Sequence, residues 1–336
     1  MLPEIRVNAL TGDRVIVAPL RERRPGALRR PGTLAPPSEL LCPFCPGNED
    51  ETTAELFRIP GGEAPGDWRV RVFANKYPVL VTAERRGADA AYDPLYEKQP
   101  AVGRHEVIVE TPAHDRHFTE FGDRELLDVL RTYRSRFAVA AADARVGHVV
   151  IFRNQGELAN ASISHPHSQL AGLRFVPAAA TRVLERSEKY LDSNGRNLLI
   201  DIAAGEIIAK PSRLVATQER FVSFVPFAPA HEFEVWVAPR FLPPRFDLVD
   251  DATLQDLGIA LRSALRALRG GLDDPDYNYI FHVPPLVEHA ESVVPWYIQI
   301  IPRLTPVAGF ELGVGVQIVV NTPETAAQRL RETLRA

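Results

Sequence analysis

The positions of apolar and polar residues from residue 105 onward describe one unit of secondary structure, and then describe it again. His105 to Glu110 reads as a strand, and Leu126, Leu127, Leu130 and Tyr133 recur at helical spacing within a stretch from Arg124 to about Asp143. Two strands follow, His148 to Asn154 and one around His165-Pro166-His167-Ser168-Gln169. The second occurrence has a different sequence but the same order. It runs as a strand Glu234 to Ala238, a helix from Ala252 to about Arg269 with Leu254, Leu257, Leu261 and Leu265 on one face, and strands Tyr277 to Val283 and Trp296 to Pro302. Strand, helix, strand, strand, twice, predicts an α+β fold: a mainly antiparallel sheet covered by helices, not the alternating order of a parallel doubly wound sheet. The repeat divides the chain into halves, residues 1–175 and 176–336.

Ahead of the repeat, Trp68 to Ala74 alternates as a strand and Asn75-Lys76-Tyr77-Pro78 reads as the turn after it. Prolines cluster between Pro25 and Pro37, so Glu22 to Leu40 reads as an irregular arm. With 336 residues, 45% of them hydrophobic, the chain can bury a substantial core as one large domain or two moderate ones. Its net charge of −4 and pI near 6.2 argue against a general affinity for nucleic acid or an anionic membrane, so any recognition of phosphate has to be local. No apolar run approaches the roughly 18 residues of a membrane span, and Met1 to Arg6 lacks a signal core, which leads us to expect a cytoplasmic protein. No glycine-rich phosphate loop of the P-loop or Rossmann type is present.

The chemistry concentrates at His165, His167 and Gln169. On a strand, alternate residues share a face, so these three are predicted to converge. A neutral imidazole can attack phosphorus unaided, giving a phosphoramidate that a second phosphate resolves. Taken alone, a His-x-His pair is also what surface strand residues or hydrogen-bonded core histidines look like. Upstream, Phe152, Asn154, Gly156 and Ser162 supply small residues and polar donors suited to a phosphate. The two cysteines, Cys42 and Cys45, form a Cys-Pro-Phe-Cys pair, too few for a disulfide framework and readable as a metal knuckle or a redox pair.

Phe152-Arg-Asn154-Gln-Gly156, Ser162 and His165-Pro166-His167-Ser168-Gln169 together resemble the active-site signature of the galactose-1-phosphate uridylyltransferases, a branch of the histidine triad superfamily. The resemblance spans nearly the whole chain: Arg21-Glu-Arg-Arg24-Pro25, Cys42-Pro-Phe-Cys45-Pro-Gly-Asn, Val72-Phe73-Ala-Asn75-Lys76, Glu106 to His114, Phe233-Glu234 and Phe310-Glu311-Leu-Gly313 fall in the family's order. It implies two tandem histidine-triad-like units, the first holding the nucleophile and a metal site, the second catalytically degenerate. It also implies a ping-pong nucleotidyl transfer in which His167 takes the nucleotidyl group from a nucleoside diphosphate hexose such as UDP-glucose and passes it to a sugar 1-phosphate. By position, Gln169 would steady the transferred phosphoryl oxygens, Ser162 would contact the distal phosphate, and Asn75, Lys76 and Asn154 would contact the nucleotide. Arg21 and Arg24 match arm residues that reach the other subunit of a homodimer, although on spacing alone they are solvated loop charges.

Zinc in structural sites takes four thiolate or imidazole ligands, and the resemblance selects Cys42, Cys45, His114 and His165 as a Cys2His2 set. One structural zinc per chain is therefore expected, fixing the backbone that presents His167. Two departures from the family bear on the substrate. Ser168 stands where the uridylyltransferases usually have glycine, and resembles enzymes that phosphorolyse ADP-glucose, which would make inorganic phosphate the acceptor and adenylate the group transferred. In the second copy, Pro295-Trp296-Tyr297-Ile298-Gln299 replaces a His-x-His-x-Glu run, so no second metal is expected, and Glu234 reads as a polar strand residue. His105, His117, His148, His231, His282 and His289 have no spacing partner and read as ordinary histidines. Phe310 to Gln317 reads as a glycine-containing strand. Uridylyl transfer to a hexose 1-phosphate is the first reading, adenylyl transfer or phosphorolysis the second, and a non-catalytic nucleotide-binding protein the third.

Overall fold

The computed structural model describes residues 3–19, 42–62, 67–82, 95 and 100–335. The arm from Glu22 to Leu40, with Arg21 and Arg24, lies outside the described residues. The chain begins with strands β1 (Glu4–Val7), β2 (Arg14–Val17), β3 (Glu55–Pro60), β4 (Trp68–Ala74) and β5 (Gly103–Val109), followed by helix α1 (Asp123–Ala141). Strands β6 (His148–Gln155) and β7 (His167–Leu173) complete the first strand-helix-strand-strand unit. Two helices, α2 (Ala178–Asn194) and α3 (Leu198–Ile208), lead to β8 (Leu214–Thr217), β9 (Phe221–Phe224) and β10 (Val235–Pro239). Then come α4 (Asp251–Leu272), β11 (Tyr277–His282), α5 (Ala290–Val293) and β12 (Tyr297–Pro302). The described chain closes with α6 (Gly309–Val314), β13 (Gln317–Val319) and α7 (Pro323–Thr333).

Ten strands form one sheet in the order β3-β4-β5-β7-β6-β11-β12-β10-β9-β8, and every neighbouring pair in it is antiparallel. A three-stranded sheet, β1-β2-β13, stands apart from it. The predicted α+β class, mainly antiparallel, is the class observed. The seam at the centre of the large sheet is β6 against β11, with Asn154 opposite Asn278 and Phe152 opposite Ile280.

Helices α1 and α4 cover one face. Leu126, Leu130, Tyr133 and Phe137 of α1, and Leu254, Leu257, Leu261, Leu265 and Leu268 of α4, are buried almost completely. Each such side chain contributes roughly 1.5–3 kcal/mol by leaving water. The two helices approach closely because Gly258 has no side chain: a Cβ there would stand 3.1 Å from Cβ of Leu126. Both helix starts are capped, α4 by the Asp250 side chain accepting from the Thr253 amide at 2.8 Å, and α1 by Glu125 accepting from the Gly122 amide at 2.8 Å.

The two-residue period of the strands sends Ile108, Ser168, Leu170 and Ile151 into this helix-covered core, and turns His105, Val107, Val109, His167 and Gln169 to the opposite face. Register decides who meets whom there: Val109 pairs with His167 and Val107 with Gln169. Two expectations are corrected. Strand β7 starts at His167, so His165 lies before it and turns toward the cysteines, while His167 and Gln169 keep a common face. Phe310 to Val314 is helical, because Glu311 caps the backbone amide of Ala308 at 3.2 Å and Gly315, at φ +69°, ends the turn; only Gln317 belongs to a strand. No helix among the described residues is long and apolar enough to cross a membrane.

Candidate active site and metal centre

Cys42, Cys45, His114 and His165 come together although 123 residues separate the first from the last, each offering one ligand atom within 4.8 Å of the others. A turn of chain after Cys42, closed by the Cys45 amide donating to the Cys42 carbonyl, brings both sulfurs to one side. Sγ of Cys45 lies 3.2 Å from Nδ1 of His114 and 3.5 Å from Nδ1 of His165, and Sγ of Cys42 lies 3.8 Å from the latter. Around a tetrahedral ion with bonds of about 2.3 Å to sulfur and about 2.0–2.1 Å to nitrogen, neighbouring S and N atoms stand about 3.5 Å apart. The four residues therefore fit a metal ion by donor type and by spacing. Their outer contacts fix the rings for it. His165 donates from Nε2 to the Thr111 carbonyl at 2.7 Å, and Nε2 of His114 is 3.0 Å from the Ser164 hydroxyl, so both Nδ1 atoms are turned to the cysteines.

His167 opens β7, 7% exposed, with the ring of Phe44 edge-on to it at 5.1 Å. Its Nδ1 lies 2.8 Å from the His165 carbonyl oxygen. A carbonyl accepts only, so Nδ1 carries the proton and Nε2 presents its lone pair. No described residue makes a hydrogen bond to that Nε2. Burial pushes the His167 imidazolium down to about 4, against the smaller opposing effect of the carbonyl contact, so the ring is neutral at physiological pH.

Two residues along the same face, Gln169 has its oxygen engaged from two sides. Nδ1 of His105 accepts from the Val79 amide at 3.1 Å, which makes Nε2 of that ring the donor, and it donates to Oε1 of Gln169 at 2.8 Å. Asn75 donates to the same oxygen at 3.3 Å. The amide nitrogen of Gln169 is left as the outward donor, the polarity that a phosphoryl oxygen requires. His105, read from the sequence as an ordinary histidine, thus orients a candidate binding residue. Its signal was absent from spacing because the contact depends on the pairing of β5 with β7 and on the turn at Val79.

The other residues singled out by the sequence are less tightly convergent. Asn154, on β6 and half-buried, accepts from the Asn278 side chain at 2.8 Å. Beside it Gly156 adopts φ +85°, and a Cβ there would overlap the Asp276 carboxylate, so the Asn-Gln-Gly run requires its glycine. Ser162 is exposed in a bend ahead of His165. Lys76 is exposed and donates to the Glu51 carbonyl at 3.1 Å, while Asn75 is tied into the Gln169 cluster. Arg21 and Arg24 lie outside the described residues.

In the second unit, the corresponding glutamine, Gln299, has both ends occupied. Its Oε1 lies 2.9 Å from Nε2 of His282, and its Nε2 donates to Glu234 at 2.8 Å. The Glu234 carboxylate also accepts from Nε1 of Trp236 at 2.6 Å and from the amides of Ala230 and His231, and burial raises its pKa. Tyr297 stacks on His282 at 4.7 Å where the first unit has the nucleophile candidate. Gln299 is thus engaged at both ends, and a tyrosine, not a histidine, stands where the first unit has His167.

The antiparallel α+β framework presents an open imidazole nitrogen beside a cysteine-histidine cluster, and the relatives that the chain matches are nucleotidyltransferases. The sequence pattern described as "Galactose-1-phosphate uridyl transferase, N-terminal domain" matches residues 1–177, more than half of the chain, and the chain belongs to that family. It is 33% identical to ADP-glucose phosphorylase of Arabidopsis thaliana, an alignment covering 98% of this chain and 93% of the relative. To galactose-1-phosphate uridylyltransferase of Cryptococcus neoformans it is 28% identical, over 98% of this chain and 90% of the relative. Among solved structures, that of the A. thaliana ADP-glucose phosphorylase with bound ADP-glucose superposes with a TM-score of 0.84 at 31% identity, covering 98% of this chain and 99% of that one.

Proposed function

We propose that the protein transfers a nucleotidyl group from a nucleoside diphosphate hexose, by way of a covalent nucleotidyl-His167, to a sugar 1-phosphate or to inorganic phosphate. One observation carries the reading: Nδ1 of His167 is held by the His165 carbonyl, which leaves Nε2 unshared. In the first step Nε2 forms a bond to the α-phosphorus while the bond to the oxygen of the departing hexose 1-phosphate breaks. In the second, an oxygen of the acceptor phosphate attacks the same phosphorus, the P–N bond breaks, and the imidazole is returned. The two steps are mirror images, so one set of donors serves both.

In this reading the amide nitrogen of Gln169 donates to the transferred phosphoryl oxygens, Asn75, Lys76 and Asn154 contact the nucleotide, and Ser162 contacts the distal phosphate. The metal is zinc, structural, held by Cys42, Cys45, His114 and His165; it anchors the segment before β7 and takes no part in bond making. The halves 1–175 and 176–336 act as a working unit and a degenerate one, and the enzyme is a homodimer in which Arg21 and Arg24 of one subunit reach the site of the other.

Transfer of uridylyl to hexose 1-phosphate is the activity that names the family. A second reading, with ADP-glucose as donor and phosphate as acceptor, is favoured by Ser168 and by the greater identity to the A. thaliana phosphorylase. Incubation with UDP-glucose and, separately, ADP-glucose, followed by intact-mass measurement, tests chemistry and base together. A uridylyl or an adenylyl increment on the chain is the expected result and picks the donor. An unmodified chain after exposure to both, under conditions that support turnover, would remove the covalent mechanism.

A further inference from the structure

Behind the nucleophile, on the helix-covered side of the sheet, is a closed polar cluster that the reaction does not touch. Ser168 follows His167 and points the other way, fully buried. The Tyr133 hydroxyl, contributed by α1 and likewise fully buried, lies 2.6 Å from Oγ of Ser168, 2.9 Å from Oε1 of Glu110 and 2.5 Å from the Tyr279 hydroxyl. With one proton and two lone pairs, Tyr133 can donate to Glu110 while accepting from Ser168 and Tyr279. Arg153, 1% exposed, pairs with the other Glu110 oxygen, so the carboxylate that anchors Tyr133 has its charge balanced.

Glu110 does more than hold Tyr133. Its backbone amide donates to the Pro166 carbonyl at 3.0 Å, and the carbonyl of the next residue, Thr111, accepts from His165. The residues on both sides of His167 are thereby gripped from one place: Pro166 by the Glu110 backbone, Ser168 by the Glu110 side chain through Tyr133. Burial raises the Tyr133 pKa well above its ordinary value, which keeps the phenol protonated and the bridge intact. A buried hydroxyl that lost its partner would have no water to turn to, so the contact is costly to break. A glycine at 168 could not make this contact.

We propose that Tyr133 is a positioning residue for His167, acting through the Ser168 hydroxyl and the Glu110 carboxylate, and that it sets the rate of nucleotidylation and not the affinity for the nucleotide sugar. The inference rests on the covalent reading above. Displacing a reacting atom by about 1 Å can cost about a hundredfold in rate, and a broken bridge shifts the start of β7 without removing any group that contacts substrate.

The test is the rate constant for appearance of the nucleotidylated chain, measured by quench and intact mass as a function of donor concentration, in the wild type, Tyr133→Phe, Ser168→Ala and the double variant. Each single variant is expected to slow nucleotidylation about tenfold or more, with the half-saturating donor concentration changed less than about threefold. The double variant is expected to be no slower than the slower single one, because both substitutions remove the same contact. A purely structural role would lower the melting temperature and leave the rate constant at 20 °C untouched; a folded variant behaving so would overturn the proposal, as would multiplicative losses in the double variant. Should Tyr133→Phe fail to fold, Ser168→Ala decides by the same criteria. A wild type that forms no adduct with either donor defeats the covalent reading, and the positioning role with it; a wild-type adduct with unslowed variants defeats the positioning role alone.

Discussion

Nδ1 of His167 is 2.8 Å from the carbonyl oxygen of His165. A residue whose side chain belongs to the cysteine-histidine cluster therefore holds, by its backbone, the tautomer of the histidine proposed as the nucleophile. Because both contacts are made by one residue, His165, disturbance of the first should be felt by the second.

The metal prediction follows directly. Purified protein should contain about one zinc per chain, and Cys45→Ser should lose it, with melting temperature and turnover falling together and turnover reduced at least about tenfold. Elemental analysis, a melting curve and a rate on the same sample make the check. Fully active protein without zinc would contradict the role assigned to the cluster.

His167→Gly should abolish the adduct and depress turnover by at least about ten-thousandfold. Among the described residues the side chain's only polar contact is with the His165 backbone, so the melting temperature should move by only a few degrees. An adduct persisting in the glycine variant would point to another nucleophile.

His105→Phe removes the N–H that holds Oε1 of Gln169 and leaves the ring shape in place. Gln169 can then flip its amide and present oxygen where nitrogen is required, so we expect kcat to fall about tenfold or more with little change in melting temperature. In a Gln169→Ala background the His105 substitution should cause little further loss. If the two losses multiply instead, the residues act separately.

Stability should decline on the acid side through two histidines outside the cysteine-histidine cluster, His148, buried, and His231, partly buried. Burial, with help from His282, lowers the His148 pKa to about 4, and burial with Arg303 nearby lowers that of His231 to about 4. In the unfolded chain both titrate near 6.5. Above that value neither state binds the proton and the term vanishes. As pH falls from 6.5 toward 4 the unfolded state binds protons that the folded state refuses, so unfolding is favoured progressively, by on the order of 3 kcal/mol per group at the acid end. Urea unfolding at pH 7.5, 6 and 5 should show the decline, and His148→Gln should flatten it. An unchanged slope in that variant would remove His148 from the account.

Much of this was legible in the linear order of residues. The helical spacing of Leu254, Leu257, Leu261 and Leu265 announced α4, the doubled strand-helix-strand-strand order announced the sheet class, and the run from Phe152 to Gln169 announced the family. Each of these signals is local: it depends on neighbours within a few residues, where geometry is set by the backbone period. The misreading of Phe310 to Gln317 was local too, since glycines and valines suit a strand until Glu311 caps the turn that makes it a helix.

Contacts across the sheet were a different matter. That His105 reaches Gln169, that Tyr133 reaches Ser168 from the opposite face, and that Cys42 meets His165 across 123 residues all depend on strand register and on where α1 lies. Register is chosen by the whole buried face at once, since a slip of one residue would exchange Ser168 and Leu170 in the core for His167 and Gln169. The amino-acid order determined the elements, their doubled arrangement and the chemistry carried by His167; the tertiary structure alone decided which distant groups hold that histidine in place.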